Sequence, residues 1–176
     1  MMRIVKTYSW NNGLELMKKN HPKELKEIIN AIRSVDSRKV KVKQSKEKTK
    51  KFKMLFSPIQ LNKAILDGYL YKRGWTKPKV ILNDRGGFIE GDGVKNGVGL
   101  EVQFGKYAFM GWDIFGKMVI FAKTGNYKIA VEVVPVREFT KDMSTGVSYF
   151  EQIESILERR GVSNLDIPVA VLGIGD

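Results

Sequence analysis

The sequence has no cysteine and a single histidine, His21, among its 176 residues. Without cysteine the chain forms no disulfide and no thiolate metal site. One histidine cannot supply a conventional zinc site or nucleophilic triad, so we expect His21 to be a surface residue at a helix start. The patterns GxGxxG and GK[ST] are absent as well, so no nucleotide cofactor is predicted.

Long apolar segments are also missing. No run approaches the roughly 20 residues that cross a bilayer, and the N-terminus MMRIVKTYSW lacks the apolar core of a signal peptide. No helix has the basic amphipathic pattern of an interfacial anchor, so no membrane partner is expected. Together with the absence of cysteine, this favours a cytoplasmic protein. The length and 43% hydrophobic content fit one globular domain over residues 1–176.

Acidic residues are few relative to basic ones, 19 against 31, and the net charge is +12. Such an excess repels itself and is typical of a protein that binds a polyanion, most simply nucleic acid. In the basic segment, residues 37–53, nine of seventeen residues are Lys or Arg and one is Glu. We expect its Lys46, Lys48 and Lys50 to contact DNA phosphates, which carry no sequence information. The alternative is a solvated, mobile charge run.

The order of periodic segments predicts an α/β fold, helical first and then strands with helices between them. Helical spacing or capping signals mark 11–20, 21–35, 57–74, 108–116 and 146–161, the last with Ser148 and Gly161 as boundary signals. Strand-like runs separated by Gly, Asn or Asp cover 79–83, 87–90, 99–104, 117–122, 128–134 and 167–175. Residues 3–8 fit a short strand or the start of a loop. A mixed central sheet is expected.

Asp92, Glu101 and Gln103 are the candidate catalytic unit. Strand side chains alternate, so Glu101 and Gln103 share a face about 7 Å apart, and a chain reversal would place Asp92 beside Glu101. Two close carboxylates repel each other unless a cation lies between them, and Mg²⁺ prefers oxygen ligands, with the Val102 carbonyl as another. Gln103 can hydrogen-bond a water or a phosphate. On pattern alone, a solvent-facing strand and a turn aspartate beside glycine are the alternative.

This unit resembles the nuclease core D…(D/E)-x-K, with Gln103 where most such enzymes have lysine. The strand resembles the active-site strand of the BglII and BstYI group of type II restriction endonucleases. Seven segments follow the order found in that group: MRIV..YS..NGLE, SKEKTK (45–50), SPIQLN (57–62), GW (74–75), EVQFGKY (101–107), MSTGVSYFE (143–151) and the closing P.AVLGIG. Each is weak alone, but seven in register are specific.

The resemblance implies a restriction-endonuclease-like PD-(D/E)XK fold and a homodimer that clamps double-stranded DNA. It implies Mg²⁺-dependent hydrolysis of one phosphodiester per strand, at a palindrome centred on GATC, with purine-GATC-pyrimidine as the candidate full site and 5′ overhangs as the product. Asp92 and Glu101 take the metal-binding roles, and Gln103 takes the place of the lysine and helps to position the attacking water. The apolar strip 108–121 fits one side of a dimer interface.

Base contacts are implied for Lys106, Ser144 and Thr145. A lysine can donate to guanine O6 and N7 in the major groove, which gives Lys106 a physical reason. Thr145 stands where the BstYI member of the group has serine, so the preferred base at the contacted position can differ.

The first carboxylate departs from the group's pattern. The segment before Asp92 is shorter than its counterpart, and Asp92 is flanked by glycines, so Asp84 in NDRGG is a competing candidate.

Two other functions stay open at this point. A non-catalytic basic nucleic-acid-binding protein would explain the net charge but not a carboxylate pair. A repair nuclease on the same core would recognise DNA structure or damage instead of a fixed sequence.

Overall fold

The computed structural model describes residues 1–83, 85–159 and 165–176. Asp84 and the helix boundary Gly161 lie outside the described residues. The strands are β1 (Arg3–Trp10), β2 (Lys43–Gln44), β3 (Met54–Leu55), β4 (Lys79–Ile81), β5 (Phe88–Glu90), β6 (Gly93–Lys95), β7 (Val98–Val102), β8 (Ile129–Pro135) and β9 (Val169–Gly175). The helices are α1 (Gly13–Asn20), α2 (Pro22–Ser34), α3 (Ser37–Val40), α4 (Pro58–Ile65), α5 (Tyr107–Trp112), α6 (Met118–Lys123), α7 (Arg137–Thr140) and α8 (Phe150–Glu158).

A mixed sheet in the order β1-β9-β8-β7-β6 is the centre of the fold. Strands β7, β8 and β9 run parallel to one another, and β1 and β6 join the two edges antiparallel. Helix α1 contacts β1, β8 and β9, helix α7 contacts β8 and β9, and helix α8 contacts β1 and β9. The predicted α/β class with a mixed sheet flanked by helices is confirmed.

The two inner strands are apolar runs because they are covered on both faces. Every residue of β8 and of β9 is buried, as is usual for parallel strands inside a sheet. Glu132 in the middle of β8 is the exception to this apolar composition, because it is a carboxyl group with no exposed surface. The predicted strand at the C-terminus therefore lies at the centre of the molecule.

Local signals set the helix ends at the start of the chain. Pro22 occupies the first turn of α2, and Ser57 caps α4 by accepting a hydrogen bond from the Gln60 amide at 3.4 Å. After α4 the helix continues through a π-helical turn (Leu66–Leu70) and a 3₁₀ turn to Gly74, whose φ of +82° ends it. Helix α8 begins at Phe150, two residues after the predicted boundary at Ser148.

The prediction of a strand at 117–122 is wrong. These residues belong to one helical segment formed by α5, a π-helical turn (Asp113–Lys117) and α6. A short apolar run fits a buried helix as well as a buried strand, and Met118 and Phe121 are buried three residues apart on one helical face. The helix prediction at 108–116 is correct but stops too early. No helix in the described part of the chain could span a bilayer.

Candidate active site and DNA-facing surface

The β6–β7 hairpin brings Asp92 to Glu101. Gly93 pairs with Leu100, so Asp92, one residue before β6, lies opposite Glu101. The Asp92 carboxylate accepts a hydrogen bond from the Val102 amide at 2.8 Å. The turn is Asn96–Gly97, with both residues at positive φ, which is the sequence that a tight hairpin of this twist requires. The predicted chain reversal therefore forms.

Glu101 has no exposed surface, which excludes the solvent-facing alternative. One carboxylate oxygen pairs with the Lys117 ammonium at 2.8 Å, and the other accepts a hydrogen bond from the Tyr127 hydroxyl at 3.3 Å. The Tyr127 ring lies over Gly99, where a Cβ atom would come within 2.2 Å of it. Glycine at that position thus allows the tyrosine to reach Glu101.

Asp113 joins Gln103 to Lys117. One of its oxygens accepts a hydrogen bond from the Gln103 amide nitrogen at 2.5 Å, and the other pairs with the Lys117 ammonium at 2.8 Å. The Gln103 side-chain carbonyl accepts from the Gly105 amide at 2.7 Å. Glu101 and Gln103 therefore meet in one cluster, and they are joined through Asp113 of the predicted helix 108–116 and through Lys117, which the sequence had placed on a strand.

A third strand carboxylate, Glu132, extends the cluster. It is the parallel-strand partner of Glu101 in the register of β7 and β8, so both side chains lie on one face of the sheet. Glu132 is completely buried, and neither of its carboxyl oxygens has a hydrogen-bond partner among the described residues. A buried polar group in this state costs free energy unless a ligand or another group satisfies it.

The cluster contains four carboxyl groups and one ammonium. Burial and then the charge of Asp92 raise the pKa of Glu101 to about 8, against the effect of Lys117. Burial raises the pKa of Glu132 far above its ordinary value, and that of Asp92 more moderately. Burial disfavours the charge on Lys117, but Glu101 and Asp113 outweigh it and raise the Lys117 pKa. The carboxyl groups of the cluster outnumber its single ammonium, so a bound cation would stabilise their charged forms.

The donor set fits a hard cation that keeps water. The described residues contain no group of three Asp, Glu, His or Cys side chains placed to enclose a metal by themselves. Mg²⁺ needs no such cage, because it is usually held by one or two carboxylates and keeps several waters. The Val102 carbonyl accepts one hydrogen bond, from the Asn62 side-chain amide at 3.1 Å, and retains a second lone pair. The unsatisfied Glu132 oxygens lie on the same side of the sheet as Glu101.

The residues predicted to face bases also come together, at the loop 143–146. The Lys106 ammonium donates to the Thr145 carbonyl at 2.8 Å, and Ser144 accepts from Lys43 at 2.6 Å. Thr145 donates to Glu47 twice, from its amide at 3.0 Å and from its hydroxyl at 2.6 Å. The single acid of the basic segment therefore holds the loop 143–146.

The basic segment is anchored to the body of the protein. Asp142 pairs with Lys41 and Lys53 at the two ends of the segment. Lys50 donates to the Met143 carbonyl at 2.6 Å, which places it against the loop 143–146. Lys46 and Lys48 are exposed and remain available for phosphates. The alternative of a free charge run does not describe this segment.

Sequence reasoning did not single out several residues of this surface and cluster, among them Asn62, Glu47, Asp113, Lys117, Tyr127 and Glu132. Three of them stand out as charged residues inside apolar runs: Asp113 and Lys117 are the only charged residues from 107 to 122, and Glu132 is the only one from 129 to 135. Glu47 was visible as the single acid of the basic segment. For Asn62 and Tyr127 no comparable signal exists in the sequence.

Two comparisons with known proteins bear on the chain. The family described as restriction endonuclease BglII/BglIII matches residues 5–174. The crystal structure of restriction endonuclease BglII complexed with a DNA 16-mer is similar in fold, with a TM-score of 0.75 and 22% sequence identity over 100% of this chain and 78% of that one. No curated protein matches the chain.

Proposed function

Because the chain belongs to the BglII/BglIII restriction endonuclease family, we propose that it hydrolyses double-stranded DNA in a Mg²⁺-dependent reaction at a palindrome centred on GATC. Membership makes it a restriction endonuclease, and such enzymes generally use divalent metal ions. The observation that carries the proposal is the approach of Asp92 to the fully buried Glu101 at the mouth of the β6–β7 hairpin. A non-catalytic basic nucleic-acid-binding protein does not require a buried carboxylate pair.

In this proposal Asp92, Glu101 and the Val102 carbonyl would supply the protein oxygens that hold the metal. A bound Mg²⁺ supplies a positive charge on the scissile phosphate and lowers the pKa of water. The hairpin fixes both carboxylates before DNA arrives, because Val102 donates to Asp92 and Tyr127 donates to Glu101. Gln103 positions the attacking water, and one water molecule is added across one P–O bond in each strand.

The loop 143–146 and Lys106 read the bases. Lys106 is exposed and lies against the loop, where its ammonium can reach guanine O6 and N7. Ser144 and Thr145 present hydroxyls that can donate to or accept from either base of a pair. Lys50 lies against the same loop, and Lys46 and Lys48 flank Glu47, which binds Thr145. These three lysines contact phosphates in this proposal, so binding and reading use one surface.

The enzyme acts as a homodimer in this proposal. A palindrome offers two identical half-sites, which a two-fold symmetric protein can read together. Helix α5 supplies a candidate interface, because its aromatic side chains Tyr107, Phe109 and Trp112 are half exposed, at 50%, 56% and 47%. Exposed aromatic residues of this size are enriched at the core of protein interfaces. The single domain formed by residues 1–176 is the repeating unit.

The finer assignments rest on the seven matching segments. We propose that the chain resembles BstYI within the family, and purine-GATC-pyrimidine is the full site that follows, with four-base 5′ overhangs. Thr145, where the relative has serine, leaves the outer base pair as the position where this enzyme can differ. A cytoplasmic location follows from the need to meet incoming DNA there.

Incubation of the purified protein with plasmid DNA tests the proposal. In millimolar Mg²⁺ we expect discrete DNA fragments, and their sequenced ends should share one palindrome with GATC at its centre. When Mg²⁺ is replaced by a chelator, we expect no fragments. Retarded but intact plasmid under both conditions would favour a non-catalytic DNA-binding protein. A smear without fixed ends would favour a repair nuclease.

A further inference from the structure

We propose that Lys117 is the cationic catalytic residue that the active-site strand lacks, and that Asp113 positions it together with Gln103. The proposal rests on the proposed function and deepens it. In the pattern D…(D/E)-x-K the lysine follows two residues after the second carboxylate, and here that position is Gln103. The structure places a different lysine at the same carboxylate, from the helical segment that follows the strand.

Lys117 meets the requirement of proximity. Its ammonium lies 2.8 Å from Glu101 and 2.8 Å from Asp113, although Glu101 belongs to β7 and Asp113 to the π-helical turn. The Lys117 side chain is 17% exposed, whereas those two carboxylates are 0% and 3% exposed. Lys117 is therefore the member of this trio with a remaining path to the surface and to a phosphate.

Gln103 cannot take the lysine's role, because a carboxamide carries no positive charge. Its amide nitrogen donates to Asp113, and its carbonyl accepts from the Gly105 amide. An ammonium has three N–H donors, and two of those on Lys117 are used by Glu101 and Asp113. The third can donate to an oxygen of the scissile phosphate, where charge builds up during hydrolysis. Lys117 keeps its proton throughout, and no proton passes through it.

The π-helical turn explains how the helix presents this group. Asp113 and Lys117 are its first and last residues, so one turn delivers both the ammonium and the carboxylate that orients it. Gly116 leaves space for the Trp112 ring, which would come within 2.3 Å of a Cβ atom there. Turns of this type are rare in helices and occur frequently at functional sites.

The competing explanation is an ion pair that serves stability alone. A buried pair of that kind contributes little net stability, because desolvation offsets the attraction. It also does not explain why one carboxylate, Asp113, binds both Lys117 and Gln103. The two explanations differ in which measurement changes when the charge is removed or its shape is altered.

The test compares Lys117→Met with Lys117→Arg, and uses Lys123→Met as the matched control. Lys123 is an exposed lysine at the end of α6. Three quantities are measured: the single-turnover cleavage rate of a short cognate duplex in Mg²⁺, the affinity for that duplex in Ca²⁺, and the thermal midpoint with and without Mg²⁺. We expect Lys117→Met to cut at least 100-fold more slowly while its DNA affinity stays within threefold, and Lys123→Met to match the wild type.

Asp113→Asn separates positioning from charge. Asparagine can still accept from Gln103 but no longer pairs with the ammonium, so we expect a loss of about tenfold in rate, smaller than that of Lys117→Met, and again with little change in affinity. A Lys117→Met protein that folds and cuts within threefold of the wild type would overturn the inference.

Loss of folding is also informative. If Lys117→Met does not fold, Lys117→Arg decides: a folded protein that cuts at least tenfold more slowly supports a catalytic ammonium, and a folded protein with the full rate assigns Lys117 to structure. Glu101→Ala distinguishes the two levels of the argument. If Glu101→Ala is inactive and Lys117→Met is active, this inference fails and the proposed function stands, whereas full activity of Glu101→Ala removes both.

Discussion

The acidic cluster and the basic segment differ in the sign of their charged groups and in their burial. In the cluster, the carboxyl groups of Asp92, Glu101, Asp113 and Glu132 have one ammonium among them, that of Lys117, which pairs with Glu101 and Asp113. In the basic segment, nine cations surround one acid on the surface. Chemistry at phosphorus requires fixed geometry and low dielectric, while attraction of a duplex requires accessible charge. The two regions are therefore expected to fail differently when altered.

The sharpest break in this comparison is Glu101→Ala. We expect cleavage to fall at least ~1000-fold, since the second carboxylate of the proposed metal site is removed, while DNA affinity is retained because it depends on the surface. Single-turnover cleavage and a binding titration in Ca²⁺ measure the two effects separately. A variant that binds poorly and cuts in proportion would show that the cluster also carries affinity.

The reciprocal change is replacement of Lys46, Lys48 and Lys50 by alanine. Each phosphate contact contributes about 0.9 to the slope of log affinity against log salt, so we expect the slope to fall by up to about 3, with an unchanged cleavage rate at saturation. The same loss of charge at Lys18, Lys19 and Lys26, which are exposed on α1 and α2, is the control. Equal slopes for the two triple variants would contradict a specific role for the basic segment.

Glu47→Gln sharpens the division within the surface itself. The carboxylate accepts two hydrogen bonds from Thr145, and an amide can accept only one of them without reorienting. We expect preference for the cognate site over a site with one changed base pair to drop about tenfold, as for the loss of one good base contact. Glu138→Gln, on an exposed pair with Lys141, is the control. Unchanged discrimination would mean that the loop 143–146 orders itself.

Sequence reasoning located the strand-borne part of the site and the surface, because both have local signals. The alternation around Glu101 and the chain reversal expected after Asp92 pointed to the carboxylate pair, and density of charge defines the basic segment. Lys117 could not be found in the same way, since its run, 117–122, reads equally well as a strand. Its partner Glu101 lies 16 residues earlier on β7, and its partner Asp113 lies 4 residues earlier in the same π-helical turn. Local residue propensities do not predict a π-helical turn.

Glu132 shows the other limit of sequence reasoning. A carboxylate in an apolar strand can be recognised as unusual, but its alignment with Glu101 depends on the register of two strands 31 residues apart. That register is set by the whole sheet, including the C-terminal β9, which inserts between β1 and β8. Long-range pairing of this kind leaves no trace in a local window of sequence.

Glu132→Met tests whether the cluster has been kept at the expense of stability. Since no described residue satisfies the buried carboxyl, its removal should raise the free energy of unfolding by about 1–3 kcal/mol, and cutting should slow. Glu24→Met is the matched control, because Glu24 is also buried but accepts from Asn96 at 2.6 Å and should be destabilising to replace. Urea unfolding measures both. Destabilisation by Glu132→Met would mean that the carboxyl has a partner in solution.

The smallest effect is expected where the basic segment is anchored, at Asp142. Hydrogen bonds from Lys41 and then Lys53 lower the Asp142 pKa below its ordinary value of 3.8. A carboxyl with a depressed folded pKa stabilises the fold above its unfolded pKa, and that contribution is lost as the pH falls through the folded value. We therefore expect Asp142→Asn to lower the free energy of unfolding by up to about 1 kcal/mol at pH 7, because the pair is partly exposed.

The pH dependence distinguishes this anchor from a packing contact. The stability difference between the wild type and Asp142→Asn should be constant from neutral pH down to about 4 and should shrink below it, until both proteins are equally stable in acid. Asp166→Asn, at an exposed aspartate three residues before β9 that forms no ion pair with the described lysines of the basic segment, is the control and should show no such convergence. A difference that persists in acid would mean that Asp142 holds the basic segment through its shape and not through its charge, and the surface would then be ordered independently of the electrostatics that attract DNA.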